Sequence, residues 1–199
     1  RRLGKRVVFE LEGGPFLVVH LMVAGRFHWK DAARAPVPKR VGLAAFDVPG
    51  GTLLLTEASP KKRAALHVVA TEEELAALSR GGVEPLEADL AAFARALRSE
   101  SHTVKRALTD PRLFSGIGNA YSDEILHAAR MSPFALTRTM GDEEVARLHA
   151  AMTATLSAWL VRLRVEAGER FPENVTAFRP DFAVHGRYGK PCPVCGDPV

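Results

Sequence analysis

The sequence predicts an α+β protein: a strand-rich first part, a helical middle and a small cysteine-bearing hairpin at the end. Three observations carry this. Short apolar runs joined by Gly- and Pro-bearing turns fill most of residues 5–70, the pattern of consecutive strands. From residue 71 the apolar spacing changes to three and four, the period of helices. Residues 186–198 are rich in Gly, Pro and Cys, a composition that interrupts regular structure. The boundaries that follow are 1–70, 71–184 and 185–199.

Each element has its own signal. Val7, Phe9 and Leu11 recur at every second position, and Gly13-Gly14-Pro15 turns the chain. A second strand is expected over Phe16 to Val23, ended by Gly25. Residues 29–39, with Pro36 and Pro38, read as a loop. Val41 to Val48, Thr52 to Thr56 and Ala64 to Val69 are three further strands, joined by Pro49-Gly50-Gly51 and by Ser59-Pro60-Lys61-Lys62. Strands linked by short turns favour antiparallel pairing, hence half of a sandwich or barrel. Thr71 to Glu74 form a capping box: Thr71 takes the Glu74 amide and Glu74 reaches back. That short helix ends at Gly81-Gly82. Asp89 to Arg98 carries Leu90, Phe93, Ala94 and Leu97 on one stripe. Residues 103–109 make a short helix, and Asn119 to Arg130 a longer one. Asp142 to Glu166 is the longest, with Val145, Leu148, Met152, Leu156, Trp159, Leu160 and Leu163 on one face. No internal repeat is present.

Composition narrows the function classes. The 199 residues are 47% hydrophobic and 25% charged, which excludes disordered, collagenous and low-complexity chains. No apolar run approaches the ~20 residues of a membrane-spanning helix, so no membrane partner is expected. Two cysteines separated by two residues exclude a disulfide framework and fit a reducing, cytoplasmic setting. Twenty-seven Lys and Arg against 23 Asp and Glu give +4, a mild tilt toward polyanionic partners. The chain opens on Arg1 just before a strand and closes three residues after Gly196. Both ends therefore predict a fragment of a longer protein.

One stretch carries the sharpest chemistry. Gly116-Ile117-Gly118 precedes a helix opened by Asn119. Glycines let backbone amides approach a bulky group, and a helix start offers unpaired N–H groups and a positive dipole end. Asn119 at the cap bonds either the helix or a phosphate oxygen. Lys105, one helix upstream, reaches the same anion, and Tyr121 adds an aromatic ring. A plain helical hairpin with a capping Asn is the competing reading of the same residues.

This stretch, Gly116-Ile117-Gly118-Asn119-Ala120-Tyr121 with Glu124 and Leu126, resembles the helix–two-turn–helix signature of the formamidopyrimidine-DNA glycosylase / endonuclease VIII family. Other segments agree in order and spacing. Arg2-Leu3-Gly4-Lys5 resembles that family's hairpin lysine, and His20-Leu21-Met22-Val23-Ala24-Gly25 its His-Leu-x-Met-Ser-Gly segment. Gly186-Arg187-Tyr188-Gly189-Lys190-Pro191-Cys192 resembles the entry to its zinc finger. The resemblance implies an antiparallel β-sandwich half, then a helix–two-turn–helix domain, then the first half of a zinc-finger hairpin.

In activity, the resemblance implies base-excision repair. A bifunctional glycosylase and abasic-site lyase would remove oxidised purines, such as formamidopyrimidine and 8-oxoguanine, from double-stranded DNA and nick the abasic strand. In the family an N-terminal proline amine attacks the sugar, helped by the following glutamate. That pair is not among these residues at the amino end, so the chain alone is expected to be inactive. Lys5 matches the lysine assigned to proton transfer in elimination. Asn119, Gly118, Lys105, Lys62, Arg40 and Tyr121 are the expected DNA contacts. Met22, Val23 and Arg63 are the expected side chains filling the hole left by the flipped base, with Arg63 standing where an aromatic residue is usual. Within Pro172 to Val184, Asn174, Thr176 and Phe178 either touch the extruded base or pack.

Cys192-Pro193-Val194-Cys195-Gly196 is a zinc knuckle by its residue types. The resemblance implies one structural zinc in the intact protein, with Cys192 and Cys195 as two of four ligands and no tight metal in this chain. A monomer is expected. Two alternatives share the fold: a non-catalytic nucleic-acid-binding module, and a pyrimidine-preferring endonuclease VIII-like glycosylase.

Overall fold

The computed structural model describes residues 1–173 and 178–199. The chain forms two compact units, Arg1–Leu78 with Glu166–Thr176 and Ser79–Val165 with Ala177–Val199.

The first unit is antiparallel β. Strands β1 (Arg2–Leu3), β2 (Arg6–Glu10), β3 (Phe16–His20) and β7 (Ala65–Val69) form one sheet in the order β1-β2-β3-β7. Strands β4 (Gly25–Lys30), β5 (Gly42–Val48) and β6 (Gly51–Glu57) form another in the order β4-β6-β5. Leu17 and Val19 of β3 pack in one buried cluster with Phe27 of β4 and Leu53 and Leu55 of β6, which makes the pair of sheets a sandwich. Val8, Phe16 and Val18, on the other face of the first sheet, pack with Leu75 of helix α1 (Glu72–Ala77). A strand buried on both faces needs a continuous apolar run, and Phe16-Leu17-Val18-Val19 supplies one.

Two expectations here are corrected. The second strand stops at His20, and Gly25 opens a strand rather than ending one. A tight turn over residues 21–24 separates them, closed by the Gly25 N–H to the Leu21 carbonyl (2.9 Å). A Cβ at Gly25 would overlap that same carbonyl oxygen, so the glycine is required by close approach and not by strand termination. The strand Gly25–Lys30 was hidden by its short alternation: only Phe27 and Trp29 mark its inner face. The capping box at α1 also differs by one residue. Thr71 accepts from the Glu74 N–H (3.2 Å), but the Glu74 carboxylate takes the Ala70 N–H (2.7 Å).

The second unit is helical. Its helices are α2 (Leu90–Arg98), α3 (Val104–Thr109), α4 (Asn119–Ala128) and α5 (Asp142–Ala167), the last running on into residues of the first unit. Asp89 caps α2 by accepting the Ala92 N–H (2.7 Å). Phe93 and Leu97 of α2, Val104 and Leu108 of α3, Ile125 of α4 and Leu148 and Met152 of α5 are completely buried together. Val145, Leu148, Met152 and Trp159 form the buried stripe of α5, whereas Leu160, expected on it, is exposed. The position follows from geometry: Leu160 lies one residue, about 100°, past Trp159. The Cys-bearing tail is a small hairpin, with a bridge between Pro191 and Pro198 and the Cys192 N–H on the Asp197 carbonyl (2.7 Å).

Candidate nucleic-acid interface

In the second unit the turn before α4 is built by backbone. Gly116 has φ +84°, a left-handed conformation that a side chain would disfavour. Ile117 is buried and anchors the turn. Gly118 is the N-cap and Asn119 the first helical residue, so the expectation that Asn119 itself caps the helix is corrected. The N-cap is a glycine, which has no side chain to cap α4, and the positive end of the helix dipole lies at this turn. Asn119 is exposed.

Asn119 does not stand alone. It lines an open pocket of about 350 Å³ with Thr103, Lys105, Arg106, Thr109, Pro133 and Phe134. Lys105 is half-buried, its ammonium 2.6 Å from one oxygen of Asp123. The other Asp123 oxygen is 2.8 Å from Nδ1 of His185. Asp123 stands four residues after Asn119 in α4, and residues at this spacing share a helix face. The carboxylate thus holds Lys105 beside the helix start. The pocket combines two cations, an amide side chain and a helix N-terminus, which is the chemistry that receives an anion.

Tyr121 plays a different part from its pocket neighbours. Its ring lies edge-on to Trp159 (6.0 Å) and Phe182 (5.7 Å), and it does not line the pocket. Glu124 is buried, and its carboxylate accepts three consecutive N–H groups, from Ala183 (2.8 Å), Val184 (2.9 Å) and His185 (3.0 Å). It pins the segment leading to the cysteine hairpin.

The first unit gathers a second set. Arg6 pairs with His20, and His20 with Ala65, across β2, β3 and β7. The Lys5 turn, the Met22–Val23 turn and the Lys62–Arg63 loop therefore leave the same end of the sheet. Lys5 is exposed at the β1–β2 turn, and partial desolvation by the surrounding protein lowers its pKa from the ordinary lysine value. His20 is pushed toward its neutral form by burial first, then by the nearby charges of Arg6 and Lys5. Its Nδ1 accepts the Met22 N–H (3.1 Å), helping to hold Met22 at φ +53°. Met22 is 45% and Val23 74% exposed.

Glu57, missed in the sequence reading, organises the neighbouring loop. It is 1% exposed, and one carboxylate oxygen accepts the N–H groups of Arg63 (2.8 Å) and Ala64 (3.0 Å). The Lys62 ammonium donates to the Glu57 carbonyl and to the Arg40 carbonyl (3.5 Å). Lys62 and Arg40 are thereby brought together, and Arg63 is left exposed. Asn174 and Thr176 lie outside the described residues, while Phe178 is exposed and stacks near His185.

At the tail, the N–H groups of Cys195 and Val194, and then His127, draw the Cys192 thiol down to about 6. Nε2 of His127 is 3.3 Å from its sulfur. At neutral pH Cys192 is therefore a thiolate, the form a metal takes. Cys192 and Cys195 fit half of a tetrahedral thiolate site, and the chain has no further cysteine. Among the described residues one other group of ligand-type side chains converges, Glu100, His102 and Asp110; Arg112 already bridges both carboxylates. No helix among the described residues is long and apolar enough to cross a membrane.

These features together define a helix–two-turn–helix protein. Residues 82–164 match the family described as the formamidopyrimidine-DNA glycosylase H2TH domain. A formamidopyrimidine-DNA glycosylase of Thermus thermophilus is 36% identical over 211 aligned positions, which span all of this chain and 74% of that protein. The crystal structure of the MutM (Fpg) protein from the same organism superposes with a TM-score of 0.79 at 35% identity, again over the whole chain and 74% of its own. The Lactococcus lactis Fpg complexed with abasic-site DNA has the same fold, with a TM-score of 0.83 at 22% identity, covering 100% of this chain and 74% of that one. The chain belongs to the formamidopyrimidine-DNA glycosylase family.

Proposed function

We propose that this chain is the DNA-gripping part of a base-excision glycosylase with abasic-site lyase activity, acting on oxidised purines in duplex DNA. The observation that carries the reading is the pocket at the α4 start, where Asn119, Lys105 and Arg106 meet at a helix terminus whose N-cap is glycine. A phosphate there accepts the amides of the turn and is drawn by both cations. Lys62 and Arg40 add backbone contacts from the first unit.

An enzyme that works on a stacked base must extrude it. Met22, Val23 and Arg63, exposed on turns from one sheet end, fill the space the base leaves. A guanidinium stacks on bases as an aromatic ring does, so Arg63 serves where an aromatic residue is usual. Lys5 moves the proton in elimination, and the desolvation that lowers its pKa eases release of that proton. The attacking amine, an N-terminal proline followed by glutamate, is not supplied by these 199 residues. In a complete finger, Cys192 and Cys195 would supply two of the ligands of one structural zinc, which would stiffen the hairpin. The protein acts as a monomer.

The test is direct. The chain is incubated with a duplex carrying one abasic site and sodium borohydride, and binding is followed separately by fluorescence anisotropy. Salt-sensitive binding without a covalent adduct is expected. An adduct would place a nucleophile within this chain, and absence of binding at low salt would remove the pocket from the interface. The same chain dialysed against chelator is expected to retain no stoichiometric zinc by atomic absorption.

A further inference from the structure

The second wall of the α4 pocket is unlike the first. Phe134 is 80% exposed and lines the same cavity as Lys105, Arg106 and Asn119, beside Pro133. A lone exposed aromatic is ordinary. This one is held in place. The Phe134 N–H donates to Oγ of Ser132 (3.3 Å), and the Ala135 N–H to the Ser132 carbonyl (3.1 Å). The carbonyls of Ala135 and Pro133 then accept the first amides of α3, from Val104 (2.8 Å) and Lys105 (3.4 Å). Thr103 and Leu136 close the arrangement with an antiparallel bridge. The turn that carries Phe134 is thus fastened to the residue that carries the Lys105 cation.

The volume adds a constraint. The concavity is open to solvent, and at about 350 Å³ it leaves room for a further group beside a phosphate. A ligand matched to both walls needs an anion at one end and a compact group with an apolar face beside it. We infer that Phe134 packs against the deoxyribose next to the phosphate held by Asn119 and Lys105, making the pocket a site for a whole sugar–phosphate unit. This rests on the reading of that pocket as a phosphate site and goes beyond it. The C–H face of a sugar lies well on an aromatic face, and the contact carries no base identity, as suits a grip that works at any sequence. Because it involves no charge, it adds affinity without releasing counterions.

The experiment measures binding of the full 199-residue chain and its variants to a fluorescein-labelled duplex containing one abasic-site analogue, over a range of salt. Phe134→Ala is expected to weaken binding by about five- to tenfold with the salt slope unchanged, the size of losing one buried apolar contact. Phe134→Leu keeps an apolar face and is expected to stay within about twofold of the parent. Thermal melts check that both variants fold, as an exposed position permits. Lys105→Gln separates the two levels of the argument, since loss of a phosphate cation flattens the slope by up to about one counterion. If Lys105→Gln weakens and flattens binding while Phe134→Ala binds as the parent does, the sugar contact is overturned and the phosphate site stands. If Phe134→Ala changes the slope as well, the apolar contact is overturned. If neither variant differs from the parent, or the parent does not bind, the phosphate reading falls and this inference with it.

Discussion

Single carboxylates do much of the positioning. Glu57 is buried with two backbone amides on one oxygen, and no other group in the loop replaces it. Glu57→Ala leaves those N–H groups without a partner, at a cost of about 2 kcal/mol. A lowered denaturation midpoint with an unchanged slope would register it, together with loss of a fixed Arg63. Other carboxylates set the acid limit of stability. Hydrogen bonds from Thr52 to Asp47, from Arg112 to Asp110 and from His28 to Glu173 hold all three below the usual carboxylate range. A depressed folded pKa contributes stability above the unfolded value, about 4, and loses it as pH falls through the folded value. His20 adds to this from higher pH. Its folded pKa is depressed, so below about 6.5 the unfolded chain takes a proton that the folded chain resists. The Cys192 thiol, drawn down to about 6, adds stability that is lost as pH falls from about 9 through about 6. The melting temperature is therefore expected to decline gently from about pH 9, further below about pH 6.5 with His20, and again below about pH 4. Replacing His20 with Asn should make the decline below about pH 6.5 shallower and leave the Cys192 and carboxylate contributions in place.

Among the elements, legibility followed period. α2 and α5 were readable because their apolar residues recur every three or four positions, and β3 because its run is unbroken. β4 was not, since its inward positions are Gly25, Phe27 and Trp29 and a glycine hides the start of the alternation. The candidate site divided in the same way. Gly118 and Asn119 were marked by a glycine-flanked helix start and Lys105 by its place one helix upstream; the structure puts Gly118 and Asn119 at the start of α4 and has Asn119 and Lys105 line one pocket. Asp123, Glu124 and Glu57 were not assigned these roles, because an acidic residue gives no sign in sequence of which amides it will meet. Glu124 illustrates the consequence at the level of α4. One side chain on this helix fixes residues 183–185, and through His185 it also steadies Asp123 and hence Lys105. Glu124→Ala is expected to free that segment. Hydrogen exchange at Ala183, Val184 and His185 should accelerate by one to two orders of magnitude, matching the loss of about 1.4 to 2.8 kcal/mol of local protection. Amides of β2 and β3 should exchange as before, and acceleration there would show that the effect is general unfolding.

On the scale of the whole molecule, the proposed reading separates the grip on DNA from the chemistry on the sugar. The expected phosphate contacts are Lys105, Arg106, Lys62 and Arg40, so four cations set the salt dependence. At about 0.9 per neutralised phosphate, the logarithm of affinity should fall against that of salt with a slope of about −3.6. Lys105 already faces Asp123 at 2.6 Å, so part of its charge is balanced before DNA arrives, and the measured slope should lie on the shallow side of this figure. Chemistry, by contrast, needs a secondary amine that attacks and an ammonium that moves protons. In the proposed reading Lys5 takes the second role. Joined behind an amino-terminal segment from a relative that begins Pro-Glu, it is expected to give a borohydride-trapped adduct with abasic DNA at an unchanged salt slope. In that longer protein Lys5→Ala should lower strand cleavage at least about tenfold and leave melting temperature and binding within error. Cleavage that survived the substitution would take Lys5 out of the elimination step, while the salt slope would still report the cations of the grip.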